Sequence, residues 1–249
     1  MPPARPLPHL LLTRPRAQAD RFAAQLRARW PGLPITIAPL IEIALLPPPP
    51  DLADAAAGLI FTSKNGVAGF AAGCARRDLP AWCVGPRTAQ AAQAAGFDDL
   101  HVAGGDARAL LALLLNAPPR GPLLHLRGQH AARAIADDLR AAGIAAAETI
   151  VYDQRARPLD PAARALLARP GAVIAPLFSP RSARLLADAL ATPPLRARLH
   201  LVAISAAAAA PLRSAHAETL KIAATPDAGA MLAQIAHVIR VLETDPNPR

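Results

Sequence analysis

Hydroxyl side chains stand at several points of this sequence where an apolar run gives way to a helix-like pattern. In LIFTSKNGVAGF, a short apolar run is followed by Thr62 and Ser63. Further segments have the same order, and their hydroxyl-bearing residues are Thr88, Ser179 and Ser205. A hydroxyl beside the free backbone N–H groups of a helix start is an arrangement that binds anions. Gly85, which precedes Thr88, would let a ligand approach the backbone closely.

The same residues have a purely structural explanation. Serine and threonine are favoured helix caps whatever the function, and a cap contributes about 1 kcal/mol. Each of these residues taken alone is therefore more simply a cap than a ligand site. Several of them at the carboxyl edges of parallel sheets favour a ligand site, because that edge is where such sheets bind ligands.

Tyr152 is the only tyrosine of the chain, and it stands where we expect the chain to cross between two domains. Its phenol could reach a ligand and donate a proton or a hydrogen bond. An ordinary residue of an amphipathic strand explains this tyrosine equally well.

Other motifs with known chemistry are missing from the sequence. It contains neither the glycine-rich phosphate loops of nucleotide-binding proteins nor the G-x-S-x-G turn of hydrolases. His125 and His130 have no carboxylate or cysteine beside them at metal-ligand spacing, so we expect no metal site. We expect no cofactor.

The net charge of +9 favours an anionic partner, either nucleic acid or a small molecule that carries carboxylates or phosphates. The basic residues are scattered, and aromatic residues make up only 3% of the chain. Proteins that bind single-stranded nucleic acid usually add stacking aromatics to a basic groove, so this composition disfavours them. A basic nucleic-acid-binding protein and a non-catalytic two-domain protein that closes on an anionic small molecule remain the alternatives to an enzyme.

Apolar runs and helix-like patterns alternate along the chain, which predicts α/β architecture with parallel sheets and helices on both faces. About ten strands are expected, which is many for one sheet of this length, so we expect two sheets of about five. One of the expected helices covers 130–142 and ends at Gly143. No window has the roughly 18 consecutive apolar residues of a membrane span, and the N-terminal segment lacks the apolar core of a secretory signal. We therefore expect no membrane association and a cytoplasmic protein.

The strand-to-helix turns recur twice in similar form, since FTSKNGV resembles FSPRSA and LLLTRPRAQ resembles LLHLRGQHA. The order of these repeats is explained most simply by one domain inserted into another. We predict a discontinuous domain of residues 1–38 and 154–249 and an inserted domain of residues 41–151. The crossings are expected near 39–40 and 152–153.

With these residues identified, the chain resembles the uroporphyrinogen-III synthase family over nearly its whole length. The matching segments, in the order of the family, are LLTRP (11–15), PLIEI (39–43), FTSKNGV (61–67), VGPRTAQAAQAAG (84–96), LRG (126–128), DLRAAG (138–143), IVY (150–152) and FSPRSA (178–183). FTSKNGV and VGPRTA are the more specific of these segments. One segment departs from the family pattern: AISAAAAA has Ser205 where many relatives have glycine and alanine where they have threonine.

The resemblance implies two parallel-sheet, flavodoxin-like domains, one of them discontinuous, joined by a two-stranded connector with the active site in the cleft. It also implies a lyase of haem biosynthesis that converts hydroxymethylbilane to uroporphyrinogen III without metal or cofactor. The substrate carries eight carboxylates, which would suit a basic site. Tyr152 would assist departure of the hydroxyl group. The residues expected to bind substrate are Arg14, Thr62, Ser63, Gly85, Thr88, Arg127, Gly128, Ser179 and Ser205.

The resemblance further implies that the only partners are the linear tetrapyrrole and, transiently, the hydroxymethylbilane synthase that hands it over. We expect a monomer and no nucleic-acid partner.

Overall fold

A computed structural model describes residues 7–130, 133–191 and 195–244 of the chain. The described residues form eleven strands: β1 (His9–Leu12), β2 (Ile35–Ile37), β3 (Ile41–Leu45), β4 (Gly58–Phe61), β5 (Ala81–Cys83), β6 (Leu100–Val102), β7 (Leu123–Gly128), β8 (Ala146–Ala156), β9 (Ala172–Leu177), β10 (Arg198–Ala203) and β11 (Thr219–Ile222). Their helices are α1 (Arg16–Arg29), α2 (Lys64–Gly73), α3 (Pro86–Ala94), α4 (Ala107–Asn116), α5 (Ile135–Ala141), α6 (Pro161–Leu167), α7 (Pro180–Leu190), α8 (Ala206–Ala209) and α9 (Ala228–Thr244), with a short 3-10 helix at Ala210–Leu212.

The contacts divide the chain into two compact units. The divisions fall between Glu42 and Ile43 and between Arg155 and Ala156, a few residues beyond the crossings expected from the sequence. Unit 1 contains the segments before and after these divisions, and unit 2 contains the segment between them.

The sheet of unit 1 has five strands in the order β11-β10-β9-β1-β2, and all of its pairings are parallel. Its central strands are apolar on both faces. In β1, for example, Leu11 belongs to one hydrophobic cluster, whereas Leu10 and Leu12 belong to the other. Burial on both faces is what a parallel sheet with helices on each side requires. Phe22 and Leu26, one helical turn apart on α1, cover the second face.

The sheet of unit 2 has six strands in the order β3-β8-β7-β4-β5-β6, and the pairings from β8 to β6 are parallel. One face is covered around Phe61, Phe70 and Phe97, whose rings meet with centroids 5.5 to 6.1 Å apart. The other face packs Ile60 and Trp82 against α4 and α5. The helix expected over 130–142 is shorter than predicted, since α5 begins at Ile135; residues 131 and 132 lie outside the described part.

These sheets confirm the α/β fold class with two parallel sheets. In unit 1, strands taken in chain order occupy the positions 2-1-3-4-5, which is the flavodoxin-like order. No helix within the described ranges is long and apolar enough to cross a membrane.

Each sheet contains one pair of neighbouring strands at which the strand order reverses, because the chain adds its next strands on one side of one strand and on the opposite side of the other. In unit 1 this pair is β1 and β9, and in unit 2 it is β4 and β7. Because the helices that follow two such strands diverge, a crevice opens at the carboxyl ends of the strands, where α/β proteins bind ligands. The two strand orders therefore indicate where each unit can hold a ligand.

Candidate active site

A pocket of about 280 Å³ lies at the carboxyl ends of β4 and β7 in unit 2. The structure brings together here four residues that were expected in the site, namely Thr62, Arg127, Gly128 and Tyr152. The pocket is completed by Val84, Gly105, Asp106, Ala107, His125, His130, Arg133 and Ile135. Its position agrees with the crevice that the strand order creates.

Tyr152 is placed by the pairing of β8 with β7. Arg127 pairs with Ile150 but Gly128 pairs with Tyr152, so β8 carries one extra residue at this point. The backbone N–H of Gln129 donates to the Tyr152 carbonyl at 2.9 Å, which holds the strands together beyond the irregularity. The tyrosine is 7% exposed, and its ring packs directly against the backbone of Gly128. This contact explains the glycine of the LRG segment.

Arg127 is held by partners within unit 2. Its guanidinium donates to Glu148 Oε1 at 2.7 Å and to the Gly128 carbonyl at 2.9 Å. The hydrogen bond from Arg127 lowers the pKa of the Glu148 carboxyl, which is therefore ionised at neutral pH. The arginine lines the pocket with its positive charge already balanced by one carboxylate.

His125 is a pocket residue that the sequence reasoning missed, because it was considered only as a metal ligand. Its side chain is 1% exposed, and Nε2 lies 3.2 Å from the Thr62 hydroxyl. Burial lowers the pKa of His125 to about 4, so the imidazole is neutral at pH 7. A histidine between leucines in the buried strand LLHLRG was the available signal. Within the described ranges no three acidic, histidine or cysteine side chains form a metal-binding group.

Three more polar residues line the pocket, and none of them was predicted from the sequence to bind substrate. Arg133 Nε donates a hydrogen bond to Asp138 Oδ2 at 2.5 Å. Asp106 caps α4, since its carboxylate accepts from the N–H of Ala109 at 2.8 Å. His130 is more exposed and lies 4.0 Å from Asp153 Oδ1. All three precede helices or stand in loops at the carboxyl edge, which was the signal in the sequence.

The remaining candidates in unit 2 do not line this pocket. Ser63 caps α2, since its hydroxyl accepts from the N–H of Asn65 at 3.2 Å. Gly85 caps α3 through its backbone, and a Cβ atom there would lie 3.0 Å from the Cα of Gly105. Packing against Gly105 is thus a sufficient reason for this glycine. Thr88 is buried within α3, at 6% exposure.

In unit 1, Arg14 and Phe178 meet just beyond the carboxyl ends of the neighbouring strands β1 and β9, where the strand order opens a crevice. The guanidinium carbon of Arg14 lies 3.8 Å from the centre of the Phe178 ring, within the range of a cation–π contact. The Phe22 ring packs edge-on against the Phe178 ring, with the ring centroids 4.9 Å apart. A planar cation held at the carboxyl edge is suited to a carboxylate ligand.

Two serines start helices on the same edge of unit 1. Ser179 accepts from the N–H of Ser182 at 3.1 Å, and its hydroxyl donates to the Ser182 hydroxyl at 2.9 Å. Ser205 accepts from the N–H of Ala208 at 3.3 Å. Helix α8, which starts after Ser205, has only four residues and is followed by the 3-10 turn. Both serines are caps.

The chain is similar to known proteins in both sequence and structure. The family described as "Uroporphyrinogen-III synthase HemD" matches residues 20–233, which is most of the chain. The uroporphyrinogen-III synthetase structure from Helicobacter pylori 26695 is similar with a TM-score of 0.65 and 17% identity, over 93% of this chain and 100% of that one. A mutant uroporphyrinogen III synthase from the extremely thermophilic bacterium Thermus thermophilus has a TM-score of 0.51 and 15% identity, over 93% and 99% of the two chains. Curated protein sequences gave no significant match. At these identities the structures show the fold alone.

Proposed function

Because the chain belongs to the uroporphyrinogen-III synthase family, we propose that the pocket of unit 2 is where a linear tetrapyrrole loses its hydroxyl group. The chain is an enzyme of tetrapyrrole biosynthesis, and its substrate is a tetrapyrrole. The observation that supports this location is that Tyr152 lines one pocket together with Thr62, Arg127 and Gly128, at the place where the strand order opens a crevice.

The reaction is a loss of water, which makes the enzyme a lyase. Hydroxymethylbilane loses its terminal hydroxyl group as water and leaves a cation-like azafulvene. The substituted carbon of the last ring then attacks this centre and gives a spiro intermediate. Rearrangement inverts that ring, and the macrocycle closes as uroporphyrinogen III. Catalysis consists chiefly of holding a flexible chain so that this carbon, and not the free one, reacts.

Within this scheme Tyr152 assists the hydroxyl group as it leaves, either by donating its phenolic proton or by a hydrogen bond. Burial of the ring against Gly128 supports this role, because it holds the phenol in one orientation at the pocket.

The substrate carboxylates are bound by hydroxyl groups, backbone N–H groups and arginines at the carboxyl edges of the sheets. Arg14, whose guanidinium lies over the Phe178 ring at the carboxyl edge of unit 1, is proposed to bind one of these carboxylates. Arg127 contributes positive charge at the pocket, although Glu148 takes part of its hydrogen-bonding capacity. The other proposed groups are those of Thr62, Ser63, Gly85, Thr88, Gly128, Ser179 and Ser205.

Three further properties belong to the same proposal. The enzyme works as a monomer, it works in the cytoplasm, and it receives its unstable substrate from hydroxymethylbilane synthase. Sedimentation of the purified chain tests the first, and its cellular distribution tests the second. Competition by an excess of an inactive synthase variant in a coupled assay tests the third.

The direct test is incubation of the full chain with freshly prepared hydroxymethylbilane, followed by chromatographic separation of the type I and type III products after oxidation. Heat-denatured chain is the control, because unguided closure gives the type I isomer. We expect type III product in excess over the control. A chain that binds the substrate and leaves the isomer ratio at the control value is a binding protein, and the proposal is then wrong.

A further inference from the structure

The buried pair of His125 and Thr62 has a consequence for how the pocket binds its ligand. His125 stands on β7 and Thr62 directly follows β4, the two strands that meet where the crevice opens. The 3.2 Å contact joins Nε2 of the imidazole to the Thr62 hydroxyl oxygen. Which of these two atoms carries the shared proton depends on the tautomer of the histidine.

The surroundings of the second ring nitrogen decide this tautomer. Nδ1 of His125 is buried and has no hydrogen-bond partner among the described residues. Glu148 stands opposite His125 on β8, but its Oε1 accepts from Arg127 and neither of its carboxylate oxygens accepts a hydrogen bond from Nδ1. A buried N–H group without an acceptor is rare and costly, and an unpaired acceptor atom is tolerated more often. The proton therefore belongs on Nε2.

With the proton on Nε2, the imidazole donates to the Thr62 oxygen. The hydroxyl proton of Thr62 is then not used by the histidine and is available to an acceptor in the pocket. The opposite tautomer would make Thr62 donate to the histidine, which would leave the pocket only a hydroxyl lone pair. A carboxylate accepts hydrogen bonds and donates none, so only the first arrangement suits it.

We infer that His125 is a positioning residue that presents the Thr62 hydroxyl as a hydrogen-bond donor to a carboxylate group of the substrate. This inference rests on the proposed function for the identity of the ligand, but the tautomer of His125 is independent of it. The histidine acts through Thr62 and does not itself touch the substrate.

The tautomer is measured by NMR on the full chain labelled with ¹⁵N in its histidine rings. The His125→Gln variant identifies the His125 signals by their loss. We expect the chemical shifts of a neutral imidazole with its proton on Nε2 at pH 7. A proton on Nδ1, or a doubly protonated ring, overturns the inference whether or not the chain makes uroporphyrinogen III.

Kinetics with hydroxymethylbilane test the second step. We expect His125→Leu to raise KM several-fold, with a smaller change in kcat. The rise should stay below about tenfold, the value of one whole hydrogen bond to a charged group, because Thr62 keeps its hydroxyl and loses only the contact that orients it. In a Thr62→Val background the same change should have no further effect on KM, because the histidine acts through that hydroxyl. Additive effects on KM would show a separate role for His125 and would contradict the inference. His125→Gln, whose amide can still donate to Thr62, should recover part of the loss.

A second histidine–threonine pair of the chain supplies the matched control. His200 is buried on β10, its Nδ1 lies 3.1 Å from the Thr219 hydroxyl, and its Nε2 lacks a hydrogen-bond partner among the described residues. His200→Leu therefore removes the same kind of contact in unit 1. We expect KM to stay within about twofold of the parent value. An equal rise in KM for both leucine variants would mean that loss of a buried histidine perturbs the fold generally, and the inference would then be wrong.

Discussion

Gly128 and Tyr152 fit each other so closely that no side chain can be added between them. A Cβ atom built on Gly128 would lie 2.6 Å from Cζ of the tyrosine ring and 2.9 Å from its hydroxyl oxygen. Real Cβ atoms do not approach other heavy atoms this closely. The extra residue in β8 creates this fit, because it sets Tyr152 opposite Gly128 at the end of the paired strands. The position of the phenol in the pocket therefore depends on the absence of a side chain at position 128.

Gly128→Ala should displace the tyrosine ring. We expect a loss of stability of about 1–3 kcal/mol, typical of overpacking in a tight core, together with a lower rate of uroporphyrinogen III formation. Urea unfolding and the isomer assay measure the two effects. Gly32→Ala is the matched control, since a Cβ atom there would meet only Leu7 Cδ1 at 3.8 Å. An active and fully stable Gly128→Ala variant would show that this contact does not position the phenol.

Tyr152→Phe removes the hydroxyl but keeps the ring that packs on Gly128. We expect the free energy of unfolding to stay within about 1 kcal/mol of the parent value, because the packing is retained. The rate of hydroxymethylbilane consumption should fall at least about tenfold, since a positioned proton donor contributes that much or more. Stopped-time assays of rate and isomer ratio measure the effect. Retention of the full rate and the full isomer selectivity would remove the catalytic role of Tyr152.

Two substitutions distinguish the role of Ser63 as a helix cap from a role in binding substrate. Ser63→Ala should lower stability by about 1 kcal/mol and Ser63→Gly by only a few tenths, because glycine is a better cap than alanine. Both variants lose the hydroxyl, so a hydroxyl that contacts substrate predicts an equal rise in KM for the two. Urea unfolding and KM for hydroxymethylbilane measure these quantities. A rise in KM for alanine alone would assign Ser63 to the cap only.

The burial of His125 makes stability depend on pH. Its pKa is lowered to about 4 in the folded chain, against about 6.5 in an unfolded chain. Between these values the unfolded chain binds the proton and the folded chain does not, so stability falls as pH falls from about 6.5 towards 4. From pH 7 to pH 5 this histidine should cost about 2 kcal/mol.

Urea unfolding of the parent and the His125→Leu variant at both pH values measures this cost. His9 and His200, whose pKa values are also lowered by burial, contribute equally to the parent and the variant and cancel. An unchanged difference between the two chains from pH 7 to pH 5 would contradict a neutral, buried His125.

Local patterns in the sequence were enough for most helices and strands and for the polar groups at strand ends, although α5 is shorter than predicted. Apolar runs that alternate with helix-like patterns predicted parallel sheets with helices on both faces. Ser63, Ser179 and Ser205 followed such runs and are helix caps in the structure. Caps are readable because the side chain bonds to a backbone N–H two or three residues away.

The composition of the pocket was decided by contacts between distant segments. Thr62 and His125 are 63 residues apart, and they meet only because β4 and β7 are neighbours in the sheet. The sequence placed both strands but not their order, since strand order follows from how helices pack on both faces of the whole sheet. It therefore determined that donors would stand at the carboxyl edges of two parallel sheets. Only the tertiary structure decided which donors share a pocket, that Arg127 faces Glu148, and that Gly128 makes room for Tyr152.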